Sequence, residues 1–139
     1  MSLLDVRTYF RAQMDTTGYE EWRDGFNTEN IPSTLLDRSY HIESGVITAT
    51  TSNHQVHEFN CPVTVRVYLK GFLDPVTAID DAYVVAETIL GVLLLPADRL
   101  GTCVKDVVPI NITVSPLTQQ NDNSVIVQLD FEAITFIRF

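Results

Sequence analysis

The sequence predicts an α+β fold: an antiparallel-dominated β-sheet with a short N-terminal helix and a long central helix packed on one face. Two patterns support this prediction. Residues 74–96 repeat apolar side chains at the three- and four-residue spacing of an amphipathic helix, whereas residues 59–71, 108–115 and 125–133 alternate as half-buried strands do. A helix over residues 74–96 would run about 30 Å with one apolar face. Such a helix needs a sheet to lie on.

The long helix has clear sequence signals at both ends. Asp74 is a favourable N-cap, and Pro75 suits the first helical position because its φ is fixed and it has no N–H. Pro96 is expected to end the helix. Spacing predicts an apolar face of Val76, Ile79, Ala82, Tyr83, Ala86, Ile89, Leu90, Leu93 and Leu94.

A shorter helix is predicted over residues 2–14 and is expected to end before Gly18. Its apolar stripe comprises Leu3, Val6, Phe10 and Met14. Arg7 and Arg11 lie one turn apart on another face. The ordinary interpretation of this pair is a solvated face, and the alternative is contact with a partner.

Residues 19–36 show no periodicity and are expected to form an ordered loop with one short strand. Weakly alternating residues 38–44, with Tyr40 and Ile42 on one side, and β-branched residues 46–51 predict two further strands.

Residues 59–71 give the clearest strand. Its apolar positions are Phe59, Cys61, Val63, Val65, Val67 and Leu69. The opposite face is expected to be exposed to solvent, as in a sheet backed by helices on one side. There, Arg66 and Lys70 are expected to pair with Asp130 and Glu132 if the strands are neighbours.

The last strand changes pattern near the C-terminus. Residues 119–124, QQNDNS, predict the hairpin connection that precedes it. Ile134 and Phe136 occupy the register that is polar earlier in the strand, while Ile137 continues the apolar one. A strand that is apolar on both faces either enters a deep core or meets another chain. Its terminal position favours another chain, so Ile134 and Phe136 are candidate interface residues.

Composition limits the classes of function. The 139 residues, 45% hydrophobic, suit a single domain spanning 1–139. A net charge of −9 argues against gripping nucleic-acid phosphates or anionic membranes. Cys61 and Cys103 are too few for a disulfide scaffold, and the first ten residues lack the pattern of a signal peptide. We therefore expect a soluble intracellular chain.

The sequence shows no catalytic, cofactor-binding or metal-binding signature, and we expect no enzyme. The glycines form neither GxGxxG nor a Walker-type loop. In an extended segment His57 and Cys61 would lie about 13 Å apart, too far for one zinc ion, and His54 has the opposite parity. The acid pairs at 20–21 and 80–81 are best explained as solvated surface.

Residues 24–43, DGFNTENIPSTLLDRSYHIE, resemble the tail-terminator proteins of long-tailed phages, of the lambda type. The likeness lies in the acidic loop, the turn at residues 30–34 (NIPST) and the Tyr40-His41-Ile42 strand. The order of elements, with a first helix, strands, a long covering helix and a closing hairpin, is similar as well.

The resemblance implies a homo-oligomeric ring, six-fold in long non-contractile tails, that caps the tail tube at full length. Its implied partners are the tail tube protein and the head–tail connector or neck proteins, with double-stranded DNA passing through the channel without specific binding. The resemblance also implies that the protein assembles in the host cytoplasm and lies at the tail–head junction of the virion.

The residues themselves are compatible with such a ring. A ring requires heterologous contacts, in which one patch meets a different patch on the next subunit. Ile134 and Phe136 offer an apolar patch, and Arg7 with Arg11 could meet an acidic neighbour. The alternatives are another phage neck protein, for head completion or head–tail connection, and a small module whose exposed strand recruits a partner protein.

Overall fold

A computed structural model describes residues 4–52, 56–94, 104–119 and 122–138. Its elements are α1 (Leu4–Asp15), β1 (Glu20–Glu21), β2 (Ser39–Ser44), β3 (Thr48–Ser52), β4 (Val56–Phe72), α2 (Pro75–Leu93), β5 (Val104–Gln119) and β6 (Asp122–Arg138). The predicted α+β class is confirmed: in the described residues, two helices accompany a six-stranded, mostly antiparallel sheet.

The sheet is built on the long antiparallel pair β4 and β6. The strand order is β1-β2-β4-β6-β5, and β3 also pairs with β4. Because β6 follows β4 along nearly its whole length, β2 and β3 share the other side of β4, one after the other. Strands β5 and β6 form the predicted hairpin, in which Gln119 pairs with Asp122. The β1–β2 pair is parallel.

Helix α2 begins as the sequence predicts. The Thr77 N–H donates to Asp74 Oδ1 at 2.8 Å, the Thr77 hydroxyl donates to Oδ2 at 2.9 Å, and Pro75 opens the helix. These hydrogen bonds, the backbone one first, hold the pKa of the Asp74 carboxyl below its ordinary value. The helix ends at Leu93, and Pro96 lies outside the described residues.

The predicted apolar face of α2 is wrong in part. Its buried residues are Ala78, Ala82, Val85, Ala86, Ile89 and Leu93. Val76 and Tyr83 are 68% and 57% exposed, because they lie more than a quarter turn from the middle of that stripe. Small alanines form the near side of the helix and allow it to approach the sheet closely.

Both helices cover one face of the sheet, called here the first face. Within the described residues its buried strand side chains include Val63, Val65, Val67, Val125, Val127, Leu129 and Phe131. Val6, Phe10 and Met14 of α1 join this core as predicted, and Phe10 lies 5.8 Å from Phe131 between ring centroids. The Tyr9 hydroxyl donates to the Leu93 carbonyl at 2.7 Å, which links α1 to the end of α2. Leu3 lies outside the described residues.

The opposite face, called the second face, was expected to be exposed to solvent, but part of it is buried. Tyr68 and Ile126 are buried there against Phe26 and Leu35 of the loop before β2. The loop is held in place where the Lys70 ammonium donates to the Leu35 carbonyl at 3.2 Å. A segment without periodicity therefore forms a second, smaller core.

The expected charge pairs between β4 and β6 do not form, although the strands are neighbours. Arg66 lies opposite Gln128, donates to its Oε1 at 3.0 Å, and forms an ion pair with Glu43 of β2. Asp130 lies opposite Thr64 and accepts its hydroxyl at 2.7 Å. The register thus places the Gln128 amide opposite Arg66 and the Thr64 hydroxyl opposite Asp130, where the prediction required opposite charges. Lys70 falls in a bulge of β4 and bonds to the loop instead.

Candidate self-association surface

Strand β5 forms one edge of the sheet and carries exposed apolar side chains. Val108, Ile110 and Ile112 are 36%, 53% and 45% exposed. A register shift between Pro109 and Asn111 places Ile110 in a bulge. Val108, opposite Glu132, therefore lies on the second face, while Ile112, opposite Leu129, lies on the first. The apolar surface consequently runs around the edge of the sheet.

The predicted interface residues Ile134 and Phe136 lie beside this edge, on the second face near the end of β6. They pair with Asn60 and Glu58 of β4. Ile134 is half-buried and Phe136 is 37% exposed, with the Lys105 ammonium 4.5 Å from its ring centroid.

We call the five side chains of this region the apolar patch: Val108, Ile110, Ile112, Ile134 and Phe136. The sequence singled out the two from β6. It gave β5 only as an alternating strand, and the exposure of its isoleucines depends on the tertiary position of β5 at the edge.

The structure does not bring the candidate arginines to this patch. Arg7 and Arg11 lie on α1, which covers the first face, whereas Ile134 and Phe136 lie on the second. The Arg11 Nε donates to Glu21 Oε1 at 3.0 Å, so its acidic neighbour is within its own chain. Arg7 is half-buried, and its Nε has no hydrogen-bond partner in the described structure. Arg11 therefore fastens α1 to β1.

A polar groove opens on the second face beside the loop, and no sequence pattern predicts it. One part has a volume of about 260 Å³ and is lined by Asp24, Gly25, Phe26, Asn27, Asn30, His41, Glu43 and Arg66. An adjoining part of about 310 Å³ shares Asn27 and Arg66 with it and reaches Ser115 and Gln128. Residues 24–30, His41 and Glu43 of the segment that resembles tail terminators thus line this groove.

Within the groove, His41 is fixed by two contacts. Its Nδ1 lies 2.8 Å from the Trp22 carbonyl, and since a carbonyl only accepts, Nδ1 carries the proton. Its Nε2 faces Gly25, where a Cβ would approach to 3.2 Å, and the φ of +78° at Gly25 favours glycine as well. Arg66 is occupied by Glu43 and Gln128. The lining side chains His41 and Arg66 are therefore held in place by contacts within the chain.

Two further polar groups tie the loop region to the helices. Burial alone would lower the pKa of Arg38, but the Asp81 carboxylate, 3.1 Å from its Nη2, and neighbouring groups raise it. Desolvation, then the nearby Asp15 carboxylate, raises the pKa of Tyr40. Both side chains stay in their ordinary charge states near neutral pH, and both serve to position β2 against the helical layer.

The described residues contain no group of three or more His, Cys, Asp or Glu side chains that could hold a metal ion. His57 and Cys61 sit four positions apart in β4, as expected, and His54 and Cys103 lie outside the described residues. Burial raises the pKa of the Cys61 thiol, which favours its uncharged form.

No family model matches this sequence, and comparison with curated proteins gives no match. Neither α1 nor α2, the helices of the described residues, is long and apolar enough to cross a membrane.

Proposed function

We propose that this protein is a virion structural protein of the tail-terminator type, which forms a homo-oligomeric ring at the tail–head junction. The ring caps the tail tube at full length, ends its polymerisation and joins it to the head–tail connector proteins. No chemical transformation is part of this role.

The apolar patch is the observation that carries the proposal. Ile110 and Ile112 are about half exposed on the edge strand β5, and Phe136 is 37% exposed further along the neighbouring strand β6, on the second face. Exposed apolar side chains grouped at one edge of a domain mark sites of protein contact. Identical copies that meet through two different patches close into a ring when their rotation permits it.

The fold also gives a physical role to the segment that carries the resemblance. Phe26 and Leu35 are buried against Tyr68 and Ile126, so residues 24–43 are built into the second face of the sheet. The turn at residues 27–30 is closed by the Asn27 side chain, which accepts the N–H groups of Glu29 and Asn30 at 2.9 Å each. The acidic loop is therefore an ordered surface suited to contact with the tube or the connector.

The negative net charge of the protein is consistent with a channel through which DNA moves without binding. Six copies at −9 each would carry −54, and this charge would repel DNA phosphates. Replacing several channel-facing acids by lysine should slow genome ejection. Unchanged ejection kinetics would count against this part of the proposal.

The direct test adds the purified protein to tubes growing from the tube protein of the same phage. Electron microscopy should show shorter tubes with a density at one end. The double variant Ile134→Ser, Phe136→Ser should leave tubes long and ends bare, while Val76→Ser, on the outer face of α2, serves as a control that still caps. Bare ends with the unmodified protein would contradict the proposal.

The same experiment separates the head-completion or connector alternative. Such a protein would bind the portal assembly and leave tube growth unaffected when added early.

A further inference from the structure

The two longest stretches of this chain without Asp, Glu, Lys or Arg are residues 44–57 and 107–121. The first contains β3 and the second contains most of β5. These strands lie on opposite sides of the β4–β6 pair, and each has a single strand neighbour in the described sheet. Two of the edge strands in the described sheet, β3 and β5, are therefore largely uncharged, whereas a third, β1, is the acidic pair Glu20–Glu21.

The edge formed by residues 46–52, called the β3 edge, is short and open. Val46 and Ile47 are 82% and 40% exposed, and Thr48 and Ala49 are exposed as well. β3 pairs with β4 through four of its five residues, with a register shift at Thr50, and its β-branched threonines favour extended backbone. No lysine or proline protects this edge, although natural sheets commonly use both to prevent pairing with another chain.

On the other side, prolines limit where β5 is open. Pro109 and Pro116 have no N–H to donate, and a bulge lies next to Pro109. Between them, residues 110–115 form a proline-free stretch, called the β5 edge, of nearly the same length as β3. Both prolines and the bulge therefore restrict edge pairing to a segment that matches the opposite edge.

Net charge makes these two edges the favourable place for copies to meet. Each copy carries −9, so two copies repel over most of their surfaces. Repulsion is least where neither partner presents a charged side chain. A contact made through backbone hydrogen bonds and Ile, Val and Thr side chains also requires no countercharge.

We infer that copies of this chain associate head to tail, with the β3 edge of one copy adding to the β5 edge of the next, so that their sheets become continuous. The two edges differ in sequence and lie on opposite sides, which makes the contact heterologous, the type that builds rings or filaments. The inference rests on the proposed function for the closure of the ring, and the pairing itself is tested separately.

The test uses one lysine on each edge. Ala49→Lys alters the β3 edge and Ile112→Lys alters the β5 edge; Val76→Lys, on exposed α2, is the matched control. All three variants change the net charge equally, from −9 to −8, so general repulsion falls by the same amount in each. Sedimentation velocity up to about 1 mM should show at least about tenfold weaker association for each edge variant and unchanged association for Val76→Lys.

Mixing the two edge variants gives the decisive measurement. Ala49→Lys keeps an intact β5 edge and Ile112→Lys keeps an intact β3 edge. Together they should form a heterodimer through the one intact pair and grow no further. Urea midpoints check that each variant folds, and Thr48→Lys and Ile110→Lys replace any that does not.

Three results would overturn the inference. Normal self-association of Ala49→Lys with loss in Ile112→Lys would mean that two β5 edges pair with each other. No association of the unmodified protein up to about 1 mM, or no effect of either edge variant, would exclude edge pairing. Tube capping is measured in parallel. If the edge variants still cap tubes, the proposed function holds but does not depend on this contact. If the copies pair head to tail but do not cap tubes, the contact is supported and the proposed function is not.

Discussion

The two faces of the sheet are covered in different ways. On the first face, α1 and α2 pack over apolar side chains from β4 and β6. On the second, a loop forms a smaller core with Phe26, Leu35, Tyr68 and Ile126 and leaves the polar groove beside it, while Ile134 and Phe136 lie further along β6. The first face therefore supplies most of the stability. The second is free to carry surface that serves contact, because fewer of its positions are needed for the core.

The largest loss of stability is expected on the first face. Leu129 is fully buried between the sheet and the helices. Leu129→Ala should lower the free energy of unfolding by about 3–5 kcal/mol, since the rigid helical layer relaxes little into the cavity. Urea denaturation monitored by circular dichroism measures this loss. A loss below about 2 kcal/mol would mean that the helices close over the gap.

The matched change on the second face should cost less. Leu35 is 1% exposed, but it belongs to the loop that covers Tyr68 and Ile126. Leu35→Ala removes the same atoms as Leu129→Ala, and we expect a loss of about 2–3 kcal/mol because a loop can settle into part of the space. Equal losses at the two positions, measured by the same denaturation, would remove the proposed difference between the faces.

The sequence predicts the first face much better than the second. Period-two patterns located β4 and β6, and Asp74 with Pro75 located the start of α2, because these signals act within one element. Nothing local shows that a loop will bury Tyr68 and Ile126, since their cover comes from residues 26 and 35. The rotation of α2 also depends on tertiary packing: alanines approach the sheet more closely than the larger Val76 and Tyr83.

The candidate site was also predictable only in part. Ile134 and Phe136 break the polar register of β6, and this irregularity is visible in the sequence. The edge position of β5 and the groove around His41 depend on strand order and register, which the pattern of a single strand does not contain. The partner of Arg11 was missed for the same reason, because Glu21 reaches it only through the fold.

A change in the apolar patch should separate stability from association. Phe136 is 37% exposed and lies under the Lys105 ammonium. Phe136→Ser should cost about 1–2 kcal/mol of stability, less than either leucine change, while it weakens self-association and tube capping. Urea denaturation and sedimentation velocity give the two values. Loss of stability as large as that of Leu129→Ala would show that Phe136 belongs to the core and not to a contact surface.

The smallest effect concerns the covering layer of the first face and depends on pH. Hydrogen bonds from Thr77 lower the pKa of Asp74 below its ordinary 3.8. A lowered folded-state pKa means that the carboxylate stabilises the fold fully above the ordinary value and loses that contribution as pH falls through the folded-state value. Asp74→Asn keeps a capping oxygen but does not titrate. The unmodified protein should therefore be slightly more stable than Asp74→Asn above about pH 5. The difference between their urea midpoints should shrink as the pH is lowered below this value. A gap that stays constant down to about pH 3 would show that the charge at the start of α2 contributes nothing to holding the helix on the sheet.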